Sequence, residues 1–156
     1  MREHLLPFYE ERGRDVDMLV IHCSAYPADK VLFYLEQYKC SCHYIIEENG
    51  TVIKVVDERF SAQHGGKGFW RGSDESINRR SIGIELCHPT LGQTPYRPEQ
   101  IASLIGLIKE IMRRHHIPAV NVVGHSDAAP LRKPDPGAAF PWQQLAREGI
   151  GLWFDK

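Results

Sequence analysis

The chain has 156 residues, 42% hydrophobic and 25% charged, with a formal net charge of −1 at pH 7, which is the composition of one globular domain with a buried core. The near-neutral charge argues against a nucleic-acid-binding protein, which usually carries a basic excess. No apolar run is long enough to span a bilayer and no signal peptide opens the chain, so we expect a cytoplasmic protein unless a leader has been removed.

The first part of the chain predicts a polar N-terminal segment followed by alternating strands and a helix. Residues 1–16 read as a polar lead-in, and the domain proper is expected over 17–156. Apolar residues share one face of a short helix over 31–38. Asn49-Gly50 is the strongest hairpin signal in the chain, because it lies between two β-rich runs. The β-rich runs predict strands at 18–23, 42–47, 51–56 and 61–64.

The second part opens with a loop and then returns to regular structure. The stretch 65–80 has several glycines, two adjacent aromatic residues and no apolar periodicity, so it predicts a long loop of the kind that is usually functional. Apolar residues recur at i, i+3, i+4 and i+7 over 98–116, and with Pro98 at the start and Pro118 beyond the end they predict a helix. The remaining elements are expected at 81–87 (strand), 120–124 (strand) and 141–148 (helix).

This irregular alternation predicts an α/β fold, a single domain with a mixed central β-sheet flanked by helices. The four cysteines, Cys23, Cys40, Cys42 and Cys87, form no C-x-x-C pair, which argues against a structural zinc knuckle. Cys23 and Cys87 lie in apolar runs, as small buried thiols do. A disulfide from Cys40 or Cys42 to a neighbour is an option if the protein is exported.

Two apolar runs of the sequence each end on a histidine, His22 and His125, and Asp135 follows ten residues after the second. Two imidazoles delivered by buried strands and one carboxylate would supply three ligands for a divalent metal. Three protein ligands and an open fourth position are typical of a catalytic zinc site. Prolines on both sides of Asp135 stiffen its backbone. The alternative is that both histidines are hydrogen-bonded packing residues and Asp135 is an ordinary turn aspartate.

Glu85 is the most unusual residue of the predicted strand 81–87, because a carboxylate is out of place in a strand buried on both faces. The functional interpretation is a general base whose pKa is raised by an apolar wall and balanced by a nearby cation. Lys133 could supply part of that cation and stabilise an oxyanion. The alternatives are an edge-strand glutamate that faces solvent and a solvated loop lysine.

Aromatic and histidine residues elsewhere carry weaker signals. Phe69, Trp70 and Arg71 would form a platform for a sugar ring or a peptide stem, or would simply fold over the core. Tyr44 is expected to be a packing residue unless its hydroxyl faces the metal. The other histidines that have no pattern of their own are His43, His64, His88, His115 and His116.

Six short motifs follow one another along the chain: strand-His22, Ser41-Cys-His-Tyr44, Ala62-Gln-His-Gly65, Asn78-Arg-Arg-Ser-Ile-Gly-Ile-Glu85, Val123-Gly-His-Ser-Asp127 and Lys133-Pro-Asp-Pro-Gly137. They occur in the order found in the zinc-dependent N-acetylmuramoyl-L-alanine amidases of the amidase-2 group, which the chain resembles over about residues 17–153. That group shares its fold with peptidoglycan recognition proteins and a phage lysozyme-amidase. The segment from Phe140 to Trp153 is similar to the envelope branch of the group.

The resemblance implies a role for each matching residue. The zinc ligands would be His22, His125 and Asp135. Glu85 matches the residue that activates the attacking water, and Lys133 matches the residue that stabilises the tetrahedral intermediate. Tyr44 matches a tyrosine that lines the zinc site, and His64 and Asn78 match positions that contact substrate.

The resemblance implies cleavage of the lactyl amide between N-acetylmuramic acid and L-alanine, with Zn²⁺ as cofactor and peptidoglycan or muropeptides as substrate. One departure concerns Gln63, where the family often has tryptophan, and it affects contacts to the glycan rather than the metal. Three alternatives stay open: a peptidoglycan-binding module without catalysis, a cytoplasmic recycling amidase for 1,6-anhydro-muropeptides, and a metal-independent hydrolase that uses Glu85 and a histidine. We expect a monomer, although the sequence leaves the oligomeric state open.

Overall fold

The protein is described by a computed structural model that covers residues 1–73 and 76–155. Its strands within these residues are β1 (Arg2–Glu3), β2 (Tyr9–Glu11), β3 (Met18–Ser24), β4 (Tyr44–Ile46), β5 (Val52–Lys54), β6 (Phe60–Ala62), β7 (Ser81–Cys87) and β8 (Val122–Gly124). The helices are α1 (Ala28–Tyr38), α2 (Ile77–Arg80), α3 (Pro98–His115), α4 (His125–Ala128) and α5 (Trp142–Arg147), with a 3-10 turn at Ala119–Asn121. In this part of the chain, no helix is long and apolar enough to cross a membrane.

A six-stranded mixed sheet in the order β1-β5-β4-β7-β3-β8 forms the centre of the fold. Strands β4, β7, β3 and β8 run parallel, β5 is antiparallel to β4, and β1 is parallel to β5. The remaining two strands, β2 and β6, pair separately. The predicted mixed sheet with flanking helices is therefore confirmed.

The register of the central strands separates two faces of the sheet. His22 of β3 lies directly beside Glu85 of β7. The residues before them, Ile21 and Ile84, belong to a core cluster packed against α3. Because successive side chains of a strand point to opposite faces, His22 and Glu85 point away from α3. We call their side the site face. Helix α1 covers the β4–β5 part of the same face.

The helices and the hairpin follow the sequence patterns closely. Helix α3 begins at Pro98 and ends one residue before His116, which has the left-handed conformation of a C-terminal cap. Helix α1 begins at Ala28 rather than at residue 31, and Asp29 in its first turn interacts favourably with the helix dipole. The loop 65–80 contains one element that the sequence did not indicate, the single-turn helix α2.

The first 16 residues are more closely integrated with the domain than their polarity suggested. They contribute β1 to the edge of the main sheet and β2 to the small sheet. Arg12 is 5% exposed and donates hydrogen bonds to the carbonyl oxygens of Glu58 (2.9 Å), Asn78 (3.1 Å) and Arg79 (2.9 Å). Edge strands of two or three residues with exposed side chains carry no apolar alternation, so the sequence did not reveal them.

A half-buried carboxylate, Glu58, gives the fold an expected dependence on acid. It accepts hydrogen bonds from the Tyr44 hydroxyl (2.7 Å) and from Arg114 (2.6 Å), and His115 Nε2 lies 2.6 Å from its other oxygen. Although burial raises the pKa of Glu58, the hydrogen bonds from Arg114, Tyr44 and His115 lower it to about 2 from an ordinary value of 4.5. The lowered pKa contributes stability above about pH 4.5 that is lost as the pH falls toward 2.

We therefore expect Glu58→Gln to lower the free energy of unfolding by about 2–3 kcal/mol at pH 7 and by much less near pH 2, where the wild-type carboxyl is itself protonated. Urea denaturation across this pH range measures the difference. Glu110→Gln is the matched control, because Glu110 forms an exposed ion pair with the same Arg114 (3.6 Å) and should change stability by about 0.5 kcal/mol or less. An effect of Glu58→Gln that is equal at all pH values would contradict the assignment.

Candidate metal centre

Three side chains converge on one point of the site face. His22 Nδ1 lies 3.0 Å from His125 Nδ1 and 3.1 Å from Asp135 Oδ2, and His125 Nδ1 lies 3.3 Å from the same carboxylate oxygen. Ligand atoms of a tetrahedral metal with bonds of about 2.0 Å are roughly 3.3 Å apart. The two histidines are buried and the aspartate is half-buried.

Each of the three residues is placed by a different element. His22 belongs to β3, and His125 is the first residue of α4, directly after β8 on the neighbouring edge. Asp135 lies in the loop after α4, where its carbonyl oxygen accepts a hydrogen bond from the Ser126 N–H (2.9 Å). The Tyr96 hydroxyl donates to the carbonyl oxygen of Pro136 (2.7 Å) and anchors the same loop from the opposite side.

The protonation pattern of this cluster fits a cation. His125 Nε2 lies 2.9 Å from the carbonyl oxygen of Gly65, which can only accept, so Nε2 carries the proton and Nδ1 presents a lone pair. Although burial raises the pKa of Asp135, the close contacts of its carboxylate with the His125 and His22 rings hold it well below its ordinary value. A carboxylate oxygen and a lone pair in contact need a positive charge between them. Two imidazole nitrogens and one carboxylate are a donor set that suits zinc.

Glu85 lies beside the cluster but is not one of the three residues whose side chains converge there. It neighbours His22 across the β3–β7 ladder, and the Ser24 hydroxyl donates a hydrogen bond of 2.6 Å to its Oε1. Burial raises the pKa of Glu85, while His22 and the Ser24 hydroxyl act in the opposite direction. A carboxyl group with a raised pKa next to a metal position is suited to proton transfer near neutral pH.

The other residues expected at the site fall into two groups. Lys133 is half-buried on the loop that carries Asp135, two residues before it. Phe69 is 56% exposed and Arg71 is exposed in the neighbouring loop, where both are accessible to a ligand. Trp70 is instead packed against the core, and its Nε1 donates to Asn121 Oδ1 (3.2 Å).

Tyr44 is not brought to the cluster. It belongs to the core cluster packed against α3, on the face of the sheet opposite His22 and Glu85. Its hydroxyl donates to Glu58. A tyrosine lining the metal position was implied only by the resemblance, and the register of β4 places this side chain on the other face.

His64 and Asn78 both lie at the site, where their side chains form hydrogen bonds with other protein groups. His64 Nδ1 lies 2.9 Å from His22 Nε2. Asn78 Oδ1 accepts the backbone N–H groups of His64 (3.1 Å) and Gly65 (2.7 Å). Burial, followed by the charges of His22 and His43, holds the pKa of His64 well below its ordinary value.

Sequence reasoning missed the residues that support the cluster from behind. Ser24 and Gly65 contact Glu85 and His125, and Ser81 lies 3.0 Å from His64 Nε2. Ser81 and Glu85 belong to one strand at spacing i, i+4, which places both on the same face. That spacing was the one available signal. The four cysteines are free thiols, and Cys23 and Cys87 are buried as predicted.

Comparison with known proteins agrees with this geometry. A model of the Amidase_2 family, described as N-acetylmuramoyl-L-alanine amidase, matches residues 12–138. The chain is 42% identical over 154 residues to N-acetylmuramoyl-L-alanine amidase AmiD of Escherichia coli, an alignment that covers 90% of this chain and 55% of AmiD. It is 30% identical over 161 residues to 1,6-anhydro-N-acetylmuramyl-L-alanine amidase AmpD of Haemophilus influenzae, covering 88% of this chain and 86% of AmpD.

The fold has the same relatives among solved structures. The structure of E. coli AmiD in complex with anhydro-N-acetylmuramic acid-L-Ala-D-gamma-Glu-L-Lys superposes with a TM-score of 0.82 at 40% identity, covering 90% of this chain and 60% of that one. The chain thus spans little more than half the length of AmiD.

Proposed function

The chain belongs to the Amidase_2 family of N-acetylmuramoyl-L-alanine amidases, and from this premise we propose that it hydrolyses the amide bond between N-acetylmuramic acid and L-alanine in peptidoglycan or its fragments. The observation that carries the proposal is the half-buried carboxylate of Glu85 beside a His–His–Asp cluster with ligand-atom separations of 3.0–3.3 Å. A binding module would need neither the cluster nor a carboxylate kept in an apolar strand.

His22, His125 and Asp135 would hold a zinc ion. Bound zinc would supply a Lewis acid that polarises the scissile carbonyl. The protein's own contribution is to keep both Nδ1 atoms directed at one point, because the Nε2 atom of each ring contacts a partner on its far side, His64 Nδ1 for His22 and the Gly65 carbonyl oxygen for His125.

Glu85 is the residue that moves the proton. Its carboxylate takes a proton from the water that attacks the carbonyl carbon, and the resulting acid gives that proton to the departing amide nitrogen of alanine. Burial raises the pKa of Glu85, which favours the uptake of a proton from the attacking water. Lys133, on the Asp135 loop, would offset the negative charge that develops on the carbonyl oxygen. Phe69 and Arg71 are the exposed residues of the neighbouring loop that would contact substrate.

Recycling of 1,6-anhydro-muropeptides is the second candidate function. It is favoured by the likeness to AmpD, named a 1,6-anhydro-N-acetylmuramyl-L-alanine amidase, and by the anhydro-muropeptide in the AmiD complex. The two candidates share one reaction and differ in the sugar, so one experiment with matched substrates separates them.

The test is mass spectrometry of the products formed from two muropeptides with the same stem peptide, one with an ordinary and one with a 1,6-anhydro sugar. From zinc-loaded protein we expect free peptide together with free N-acetylmuramic acid or, for the second substrate, its 1,6-anhydro form. We expect no products after chelation, and recovery of activity when zinc is added back. Turnover of the anhydro substrate alone would favour the recycling function. Tight binding without release, or cleavage at another bond by zinc-loaded protein, would overturn the proposed amidase activity.

A further inference from the structure

Two consecutive residues, His64 and Gly65, face the outer nitrogens of both histidine ligands. His64 Nδ1 lies 2.9 Å from His22 Nε2, and the Gly65 carbonyl oxygen lies 2.9 Å from His125 Nε2. The turn 64–65 therefore contacts both rings on the side away from Asp135. A contact of this kind fixes the tautomer and the orientation of a ligating imidazole.

The hydrogen bonds behind His22 form a chain with one consistent direction. If His22 Nδ1 presents its lone pair to a metal, Nε2 carries the proton and donates it to His64 Nδ1. His64 then carries its own proton on Nε2 and donates to Ser81 Oγ at 3.0 Å. The Ser81 hydroxyl donates in turn to the carbonyl oxygen of Ile77 at 2.5 Å. The chain ends on an acceptor, so no polar atom in it is left without a partner.

The position of His64 depends on a glycine of β7. A Cβ atom at Gly83 would lie 2.5–2.7 Å from the atoms Cγ, Nδ1 and Cδ2 of the His64 ring, closer than real Cβ contacts allow. Ser81, Gly83 and Glu85 alternate along one strand and share the site face. The segment 81–85 thus combines a hydrogen-bond partner for His64, the space for its ring and the proton-transfer carboxylate.

Asn78 holds the backbone of the same turn. Its Oδ1 accepts the N–H groups of both His64 (3.1 Å) and Gly65 (2.7 Å), which sets the direction of the Gly65 carbonyl toward His125. Both ring nitrogens of His64 and the Oδ1 atom of Asn78 are therefore engaged in hydrogen bonds within the protein.

We propose that His64 is a positioning residue that orients zinc ligand His22 through the chain to Ser81, and that Asn78 holds the turn that orients His125. The proposal rests on the proposed function only in taking zinc as the metal. It differs from the role that the resemblance implied, in which His64 and Asn78 contact substrate.

The test compares His64→Phe, which keeps the ring volume without hydrogen bonds, with His64→Gln, which can still accept from His22 and donate to Ser81. The zinc dissociation constant is measured by competition with a chromophoric chelator, and the visible absorption of the Co²⁺-loaded protein reports the ligand geometry. We expect zinc binding about 10–100-fold weaker and an altered cobalt spectrum for His64→Phe, with partial recovery of both in His64→Gln.

Two further comparisons separate positioning from general destabilisation. His115→Phe is the matched control, because it removes a histidine that contacts Glu58 beside Tyr44, a residue of the opposite face, and it should leave zinc binding unchanged. Ser81→Ala should weaken zinc binding in the wild-type background and have little further effect on His64→Phe, since both act through one chain. Asn78→Ala should weaken zinc binding although it touches no ligand.

The outcomes are distinguishable from those that test the amidase activity. If His64→Phe binds zinc within about twofold of wild type with an unchanged cobalt spectrum, or if His64→Phe and Asn78→Ala raise KM for the muropeptide without affecting zinc, the positioning role is wrong. If His64→Phe does not fold, His64→Gln and Ser81→Ala decide the question. If the zinc affinities change as expected but no variant and no wild-type protein cleaves muropeptide, the proposed function fails and the positioning role stands.

Discussion

Glu85→Gln should lower kcat by about 10²–10⁴-fold while the protein keeps its zinc and its affinity for substrate, because the amide retains the shape of the side chain but cannot take up a proton. Single-turnover release of peptide from a defined muropeptide measures the rate, and elemental analysis measures the zinc. Glu47→Gln is the matched control, since Glu47 is a half-buried carboxylate that follows β4 and lies 3.8 Å from the exposed Arg2 side chain. Near-normal turnover of zinc-loaded Glu85→Gln would show that another group transfers the proton.

The pH profile offers a second check on the same residue. Burial raises the pKa of Glu85, and the hydrogen bond from Ser24 opposes that rise. Ser24→Ala removes the opposing contact, so the pKa should rise further. Because the carboxylate form is the active base, the acidic limb of kcat/KM should move to higher pH in Ser24→Ala. If the acidic limb moves to lower pH or does not move, Glu85 is not the group whose titration governs activity.

Asp135→Asn should weaken zinc binding by about two orders of magnitude or more and abolish activity at limiting zinc. Structural sites with four ligands bind zinc with roughly 10–16 kcal/mol, or about 3 kcal/mol per ligand, and each 1.4 kcal/mol is about tenfold. Zinc should also raise the melting temperature of the wild type more than that of the variant at the same concentration. Chelator competition and thermal unfolding provide the measurements.

Asp127→Asn is the control for the loss of a nearby carboxylate, because Asp127 accepts the Gly124 N–H (2.8 Å) at the start of α4 and does not join the cluster. Its zinc affinity should match that of the wild type. The activity of Asp135→Asn should return in part with excess zinc, whereas that of Glu85→Gln should not. Full zinc affinity in Asp135→Asn would remove this residue from the proposed ligand set.

Elements with a clear local sequence pattern could be predicted from the sequence. The recurrence of apolar residues over α3 and the Asn49-Gly50 turn between β4 and β5 predicted these elements within a few residues of their bounds. The short elements β1, β2 and the four-residue α2 could not be predicted in this way, because none of them is long enough to contain two full repeats of an apolar pattern.

The face on which Tyr44 lies shows a different limit. Tyr44, Ile45 and Ile46 are all buried, because β4 is covered on both sides. A strand buried on both faces has no alternation of polar and apolar residues, so nothing local indicates which side chains point toward α3. The pairing of Tyr44 with Ile84 decides the matter, and it depends on the register of the whole sheet.

The sequence alone determined which residues were available for chemistry: histidines at the ends of two apolar runs, a carboxylate in an apolar strand, and an aspartate between two prolines. Only the tertiary structure decided that His22, His125 and Asp135 meet at 3.0–3.3 Å, and that His64 and Gly65 lie behind them. The physical reason is sequence distance. His22 and His64 are separated by 42 positions in the sequence, and His22 and His125 by 103. Contacts over such separations arise from strand order and loop packing, which a local pattern does not specify.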